Sequence, residues 1–249
     1  MFKEIIARVK QKHRTIAFPS PEIKLPARFL GLPEITAGEG GEELKAGIEA
    51  CPTGALTASA GKPALDLGRC VFCGKCAALC PETVKFTGEY RLAARKRQEL
   101  LRSDAVFRRT DALGAEMKRL FGRSLKLRQV SAGGCGACEA DCSVLQTLVF
   151  DLGRFGIQFT ASPRHADALL ITGPVTKNME LALRKTYAAL PEPRLVIASG
   201  ACAISGGIYA GHPETAGIPE DIPVDLFIPG CPPHPLTILD ALLRLLGRI

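Results

Sequence analysis

The sequence contains no Trp and only three Tyr, and aromatic residues make up 6% of its 249 residues. Proteins that bind single-stranded nucleic acid stack bases on aromatic side chains, so this scarcity argues against such a platform. The Gly-rich stretches contain neither a phosphate-binding loop nor a GxGxxG fingerprint. A nucleotide or flavin site is therefore not supported.

Long apolar runs are also missing, because none approaches the roughly 18 residues that a membrane-spanning helix needs. The first residues lack the apolar core and small-residue cleavage site of a signal peptide. We therefore expect a chain that is soluble in the cytosol or held at a membrane by other subunits.

What the chain does contain is ten cysteines. The cytosol is reducing and disfavours structural disulfides, so cysteines in this number indicate metal binding or redox chemistry. They form two groups, between residues 51 and 80 and between residues 135 and 231. Each group is expected to build its own site.

The chain divides into four stretches. Residues 1–40 include a Pro- and Gly-rich segment that predicts an extended N-terminal arm wrapped over a neighbour. Residues 41–90 hold the first cysteines, and residues 91–122 predict a charged helical connector. In residues 123–249 short strand-like runs alternate with helical patterns, which predicts a parallel α/β sheet. The predicted strands are 125–130, 157–161, 168–172, 195–199 and 224–228, and the predicted helices are 139–155, 179–189 and 236–246.

Cys70, Cys73, Cys76 and Cys80 follow the C-x2-C-x2-C-x3-C-P spacing of bacterial ferredoxins. In two-cluster ferredoxins the fourth cysteine of each run binds the other cluster. Upstream, Cys51 is also followed by proline and has the signature of a fourth cysteine. We therefore expect one [4Fe–4S] cluster on Cys70, Cys73 and Cys76, with Cys51 as the fourth ligand.

A second ferredoxin cluster has been lost in this interpretation. Counting back from Cys51 by the same spacing reaches Gly41, Leu44 and Gly47, and none of these is a ligand. Cys80 then has no cluster to bind. Two alternatives remain open, namely that Cys80 closes the site of its own loop, or that this group holds a single zinc ion.

The later cysteines lie in small-residue turns: Cys135 and Cys138 in SAGGCGACE, Cys202 in SGACAISGG and Cys231 in PGCPPHP. All three turns come shortly after predicted strands, and loops at the carboxyl edge of a parallel sheet are where ligands usually bind. Four thiolates from three such loops could enclose a cubane cluster. Taken separately, each fragment is a weak signal.

The segments VSAGGCGACEAD, SPRHADALLITGPVT, SGACAISGG and IPGCPPHP, in this order, resemble the family that joins the small subunits of membrane-bound [NiFe] hydrogenases with the 20 kDa subunit of complex I. The resemblance covers roughly residues 122–249. It implies a flavodoxin-like α/β domain whose [4Fe–4S] cluster, held by Cys135, Cys138, Cys202 and Cys231, lies against a large catalytic subunit. Complex I subunits have two adjacent cysteines at the first position. The spacing Cys135-Gly-Ala-Cys138 is similar to the hydrogenase form, of the group 4 formate-hydrogenlyase or energy-converting type.

Residues 13–100 resemble the ferredoxin-like subunit of the same complexes, particularly in FPSPEIKLPARFLGLP and EYRLAARKRQEL. This implies a small α+β ferredoxin-like domain, so that the chain resembles a fusion of two neighbouring subunits with two [4Fe–4S] clusters. The implied function is electron relay between a soluble donor or acceptor and the large catalytic subunit of a membrane-associated [NiFe] hydrogenase complex. Its membrane subunits would hold the chain at the cytoplasmic face of the inner membrane, and the chain would have no catalytic site of its own. The alternative is a quinone-reducing complex I-like subunit or a nickel-free hydrogenase-related complex.

Five further residues are weaker candidates for a functional role. Cys142 is expected to be a small buried side chain, whereas Glu139 is either a proton relay or a carboxylate favoured by a helix dipole. Arg164 and His165 are expected to pack their loop or, alternatively, to contact the cluster or partner. His234 is a possible but disfavoured iron ligand, since four cysteines complete the set.

The formal charge of +7 could indicate nucleic acid. A cluster-based sensor that binds DNA is one rival function, and a zinc-stapled scaffold is another. A solvated or subunit-facing helix explains the basic run better, so we expect no nucleic-acid partner. The run consists of Arg91, Arg95, Lys96, Arg97, Arg102, Arg108 and Arg109.

Overall fold

The computed structural model describes residues 2–20, 23–36, 41–59, 61–103 and 110–249. Arg108 and Arg109 of the basic run lie outside these described residues. The elements of the first half are α1 (Phe2–Gln11), β1 (Pro33–Ile35), α2 (Glu42–Glu49), β2 (Leu56–Ser59), β3 (Lys62–Asp66), α3 (Lys75–Leu79), β4 (Val84–Phe86) and β5 (Leu101–Arg102). The elements of the second half are α4 (Ala115–Phe121), β6 (Leu125–Ser131), α5 (Ala137–Val144), β7 (Ile157–Phe159), β8 (Ala168–Thr172), α6 (Lys177–Ala188), β9 (Leu195–Ser199), α7 (Ala201–Ser205), β10 (Leu226–Ile228) and α8 (Pro235–Leu245).

The second half is built on a five-stranded sheet in the order β10-β9-β8-β6-β7. All four pairings are parallel. Every residue of β8 and β9 is buried, because helices cover both faces of a parallel sheet. This strand order is the flavodoxin-like one. The prediction of a parallel α/β domain is therefore confirmed.

Side chains alternate between the two faces of this sheet. Leu170 and Ile197 belong to a hydrophobic cluster that includes Leu239 of α8. Their neighbours along the strands, such as Leu169, pack in a second cluster with Leu183 of α6. This double cover holds the strand ends in place, so that the loops after β6, β9 and β10 are presented at one edge.

The first half contains two small antiparallel sheets. One pairs β1 with β4, and the other has the order β2-β3-β5. Leu44 of α2, Leu56 of β2 and Leu65 of β3 are buried in a hydrophobic cluster of their own together with Cys80. The cysteines of the first group are thus carried by a unit with a separate core.

The predicted charged helix is wrong over much of its length. Ala94 forms an isolated bridge with Phe227, in which each backbone N–H donates to the other residue's carbonyl. Residues Arg97–Leu100 form a 3-10 helix, and α4 covers only seven residues. Because Leu92 and Ala93 are buried, this stretch lies in the seam between the two halves rather than in solvent.

The predicted N-terminal arm makes contacts with both halves. The N–H of Ile16 donates to the carbonyl of Val149 at 2.9 Å, in the second half. Gly31 donates to the carbonyl of Thr87 at 2.8 Å, in the first. The arm also begins with α1, a helix that the sequence pattern did not predict. Within the described parts of the chain, no helix is long and apolar enough to cross a bilayer.

Candidate metal centres

The first cysteine group converges on one cavity. Cys51, Cys70, Cys73 and Cys76 all line it. Cys70 and Cys73 lie between β3 and α3, and Gly74, with a φ of 74°, turns the chain into α3 so that Cys76 faces the same cavity. Left-handed backbone of this kind costs little only at glycine. The structure therefore brings together the four residues that the sequence predicted as the first ligand set.

Burial controls the protonation of these thiols. It raises the pKa of Cys70 to about 12 and the pKa of Cys76 to about 11, and neighbouring cysteines contribute in the same direction. Burial also acts to raise the pKa of Cys51, but backbone N–H groups reverse this and leave its pKa below the usual value. One of them, the N–H of Ala55, donates to Cys51 Sγ at 3.2 Å. Donors of this kind stabilise sulfur in its thiolate form, which is the form that binds metal.

Cys80 has a different environment. It is fully buried, and its Sγ donates to the carbonyl of Cys76 at 3.0 Å. A Cβ atom added to Gly47 of α2 would lie 2.8 Å from Cys80 Sγ. Gly47 is one of the positions at which the spacing expects a lost ligand. The thiol of Cys80 thus occupies the space that a side chain at Gly47 would need, and it also lies close to Cys76.

The second cysteine group gathers at the carboxyl edge of the parallel sheet. Cys135 follows β6, Cys138 lies in α5, Cys202 lies in α7 directly after β9, and Cys231 follows β10. Their thiols are close enough to influence one another's pKa. Burial raises the pKa of Cys202 to about 11, with further contributions from Cys231 and Cys135. Burial likewise raises the pKa of Cys138, and Cys202 and Cys231 add to that rise.

Glycine backbone lines this second site. Gly200 has a φ of 92°, and a Cβ atom added there would lie 2.6 Å from Cys138 Sγ. A Cβ atom added to Gly207 would lie 2.9 Å from Cys202 Sγ. Real Cβ atoms do not approach other atoms this closely. The thiols of Cys138 and Cys202 can therefore occupy their positions only because glycine, which has no side chain, stands at positions 200 and 207.

The substitution Gly200→Ala should therefore displace Cys138 and remove about half of the cluster-bound iron. Gly211→Ala is a control for a substitution at positive φ, since Gly211 has a φ of 79° but a Cβ atom there would meet nothing within 4 Å. Gly200 also has a ψ of 153°, a combination that is essentially confined to glycine, so Gly200→Ala adds a backbone strain of about 1–3 kcal/mol to the clash with Cys138. Iron and acid-labile sulfide analysis would separate them, and equal iron in both variants would contradict the close packing of Cys138.

The structure also shows the positions of the weaker candidate residues. Cys142 is fully buried in the main hydrophobic cluster, which confirms the expectation of a small buried side chain. His234 caps α8, with its Nδ1 accepting from the N–H of Leu236 at 3.1 Å. Arg164 and His165 are exposed on a 3-10 turn, and their role stays a prediction.

Glu139 is held by two hydroxyl groups that sequence reasoning missed. Ser131 donates to its Oε1 at 2.7 Å and Thr172 at 2.6 Å. Burial acts to raise the pKa of Glu139, but these hydrogen bonds outweigh it and lower the pKa below its ordinary value. The carboxylate is thus fixed beside Cys138 at the ends of β6 and β8. Its predicted proton-relay role is untested.

The two cysteine sites are joined by a direct contact. Ser205, three residues after Cys202, donates its hydroxyl to the carbonyl of Gly68 at 2.9 Å. Gly68 lies two residues before Cys70, and its N–H donates to Asp66 at 2.9 Å. Arg97 fixes Asp66 from the other side through two hydrogen bonds of 2.8 and 2.6 Å. Sequence reasoning missed Ser205, although its position about one helical turn after the predicted ligand Cys202 is a usable signal.

The donor sets fit iron–sulfur clusters. All ten cysteines are free thiols, and each site presents four of them. In the described residues, no three His, Cys, Asp or Glu side chains converge closely enough to hold a single metal ion. A cubane cluster makes no such demand, because each thiolate binds a different iron.

A flavodoxin-like sheet with thiols at its carboxyl edge defines the class of this chain, and comparison with known proteins defines the family. Residues 135–245 match the family described as the 20 kDa subunit of NADH ubiquinone oxidoreductase. A probable membrane-bound hydrogenase subunit from Pyrococcus furiosus is 39% identical over 136 residues, which cover 54% of this chain and 81% of the relative. An NADH-quinone oxidoreductase subunit from Citrifermentans bemidjiense is 45% identical over 116 residues, covering 47% and 68% respectively.

Among solved structures, that of an archaeal membrane-bound sulfane sulfur reductase complex includes a similar chain. The identity is 34% and the TM-score 0.47, with coverage of 54% of this chain and 75% of the other. This chain belongs to the family of the 20 kDa subunit of NADH ubiquinone oxidoreductase. It is a subunit of an oxidoreductase complex, as the sequence predicted.

Proposed function

We propose that this chain is the electron-relay subunit of a membrane-associated [NiFe] hydrogenase complex of the formate-hydrogenlyase or energy-converting type. A ferredoxin-like domain would be fused to the small-subunit domain, at the cytoplasmic face of the membrane. When bound, each [4Fe–4S] cluster would accept and release a single electron. The observation that carries the proposal is the contact of Ser205 with Gly68, which joins two four-thiol sites in one chain. The ligands would be Cys51, Cys70, Cys73 and Cys76 at the first site and Cys135, Cys138, Cys202 and Cys231 at the second.

The exposure of the cysteines suggests which way each site faces. Cys73 is exposed, which would open the first site to a soluble donor or acceptor. Cys135 and Cys231 are exposed at the edge of the sheet, where a large catalytic subunit would cover them. Backbone N–H groups donate to Cys51 Sγ and Cys70 Sγ at 3.2 and 3.3 Å. Such donors stabilise negative charge on sulfur and so influence the reduction potential.

Metal analysis of the native complex, isolated anaerobically through a tag on this chain, tests the proposal. Two clusters require about eight iron and eight sulfide per chain, and a hydrogenase partner requires near-stoichiometric nickel. Zinc in a colourless preparation without sulfide would contradict the electron-relay function.

A second candidate is a complex I-like or nickel-free complex, and the similarity to the NADH-quinone oxidoreductase subunit of Citrifermentans bemidjiense favours it. Iron and sulfide without nickel would support this candidate. The spacing of Cys135 and Cys138 favours the hydrogenase. Both candidates require the same two ligand sets, so the nickel content discriminates between them.

A further inference from the structure

Helix α1 presents apolar side chains to solvent along its whole length. The exposed fractions are 82% for Phe2, 55% for Ile5, 52% for Ile6 and 72% for Val9. No residue of α1 is buried. Isolated helices of this length are marginal in water, so a helix of this kind is stabilised mainly by a surface that covers its apolar face.

The charges on α1 are arranged around this apolar face. At 100° per residue, the four apolar side chains occupy an arc of about 100°. Lys3 and Lys10 lie along one border of that arc and Arg8 lies beyond the other. Glu4 and Gln11 lie on the opposite side. The helix therefore has an apolar stripe with basic borders and its only carboxylate pointing away.

We propose that α1 lies on the surface of a membrane that contains anionic lipids, with the apolar stripe inserted among the acyl chains. Between residues 2 and 14 there are five basic side chains and one carboxylate, which complements a negatively charged surface. Lys and Arg on the borders can extend their long side chains towards lipid phosphates while the stripe is buried. This pattern is the one expected of a helix that lies in the interface plane.

A second exposed apolar pair lies near the end of α1. Leu148 is 76% exposed and Val149 44% exposed. The hydrogen bond between Ile16 and Val149 fixes the arm beside this pair. Ile16 follows Gln11, the last residue of α1, by five positions. The end of α1 therefore lies at most about 18 Å from Ile16. Leu148 and Val149 can therefore contact the same membrane surface.

Flotation of the full chain, purified anaerobically, with lipid vesicles tests this attachment. The chain should float with phosphatidylcholine vesicles that contain phosphatidylglycerol, and weakly with phosphatidylcholine alone. The double variant Lys3→Gln, Lys10→Gln should bind the anionic vesicles about 25-fold more weakly at low salt. The double variant Ile5→Gln, Val9→Gln should lose binding to both kinds of vesicle.

Ala7→Gln is the control, because Ala7 lies on the side of α1 away from the stripe, and it should float like the unmodified chain. Iron content should be equal in all variants, which shows that they fold. Flotation that is absent, or unchanged by the two double variants, would overturn the proposal. Absent flotation together with failure of the Ile5→Gln, Val9→Gln chain to join its complex would assign α1 to a protein partner instead. Flotation does not depend on the nickel content of the complex or on electron relay. Failure of this proposal can therefore be distinguished from failure of the proposed function.

Discussion

Replacement of Cys202 by Ala is expected to abolish electron delivery to the partner subunit. Cys202 lies at the start of α7, directly after a fully buried strand, so its position is set by the sheet. Substitutions in residues that merely orient a ligand commonly cost 10- to 100-fold, and loss of the ligand should therefore cost at least about 100-fold. The measurement is turnover of the intact complex with its physiological donor. Cys135→Ala should have the same effect.

Cys142→Ala is the matched control for this experiment. Cys142 lies on the same helix as Cys138 and is fully buried, but it packs in the hydrophobic core. Its substitution should lower stability by roughly 1 kcal/mol and leave electron delivery unchanged. Turnover that survives in the Cys202→Ala complex would refute the assignment of the second ligand set.

Cys51→Ala and Cys80→Ala should have opposite consequences for the first site. Cys51 lines the cavity and accepts a backbone hydrogen bond, so its loss should remove the first cluster and about half of the iron. Cys80 faces Gly47 on α2, so Cys80→Ala should retain the iron and cost only a small packing energy, about 1 kcal/mol. Iron analysis and electron paramagnetic resonance of the reduced protein measure both results.

The reverse pattern would make Cys80 the fourth ligand of its own loop. In that case the interpretation of a lost second cluster would be wrong, and Cys51 would not bind the first cluster. Loss of iron in both variants would indicate that packing of Cys80 against α2 is needed to hold the loop of the first site.

The sequence predicted the secondary structure best in strands that are buried at every residue. The prediction of residues 195–199 and 168–172 as strands matches β9 and β8, because a strand covered on both faces reads as an unbroken apolar run. The glycines and cysteines that follow β6, β9 and β10 predicted the second site. The ligand sets themselves stay predictions, although the structure gathers the predicted residues in two places.

Two of the failures have a common physical origin in contacts between the halves. Residues 91–102 have a charged, helix-like composition, but the pairing of Ala94 with Phe227 draws them into the seam. The local sequence pattern cannot reveal such a tertiary contact, because packing readily overrides the helix propensity of a segment. The position of Ser205 after Cys202 was a usable signal, but its contact with Gly68 could not be predicted for the same reason, as the two residues are 137 positions apart.

If the two sites hold clusters as proposed, that contact has a consequence for how the chain acquires them. Ordering the loop of Cys70 restrains Gly68, and ordering α7 restrains Ser205, so each event lowers the entropy that the other must lose. Linkage between two binding events is reciprocal. Occupancy would therefore be cooperative, and chains with both sites filled or both empty would outnumber half-loaded ones.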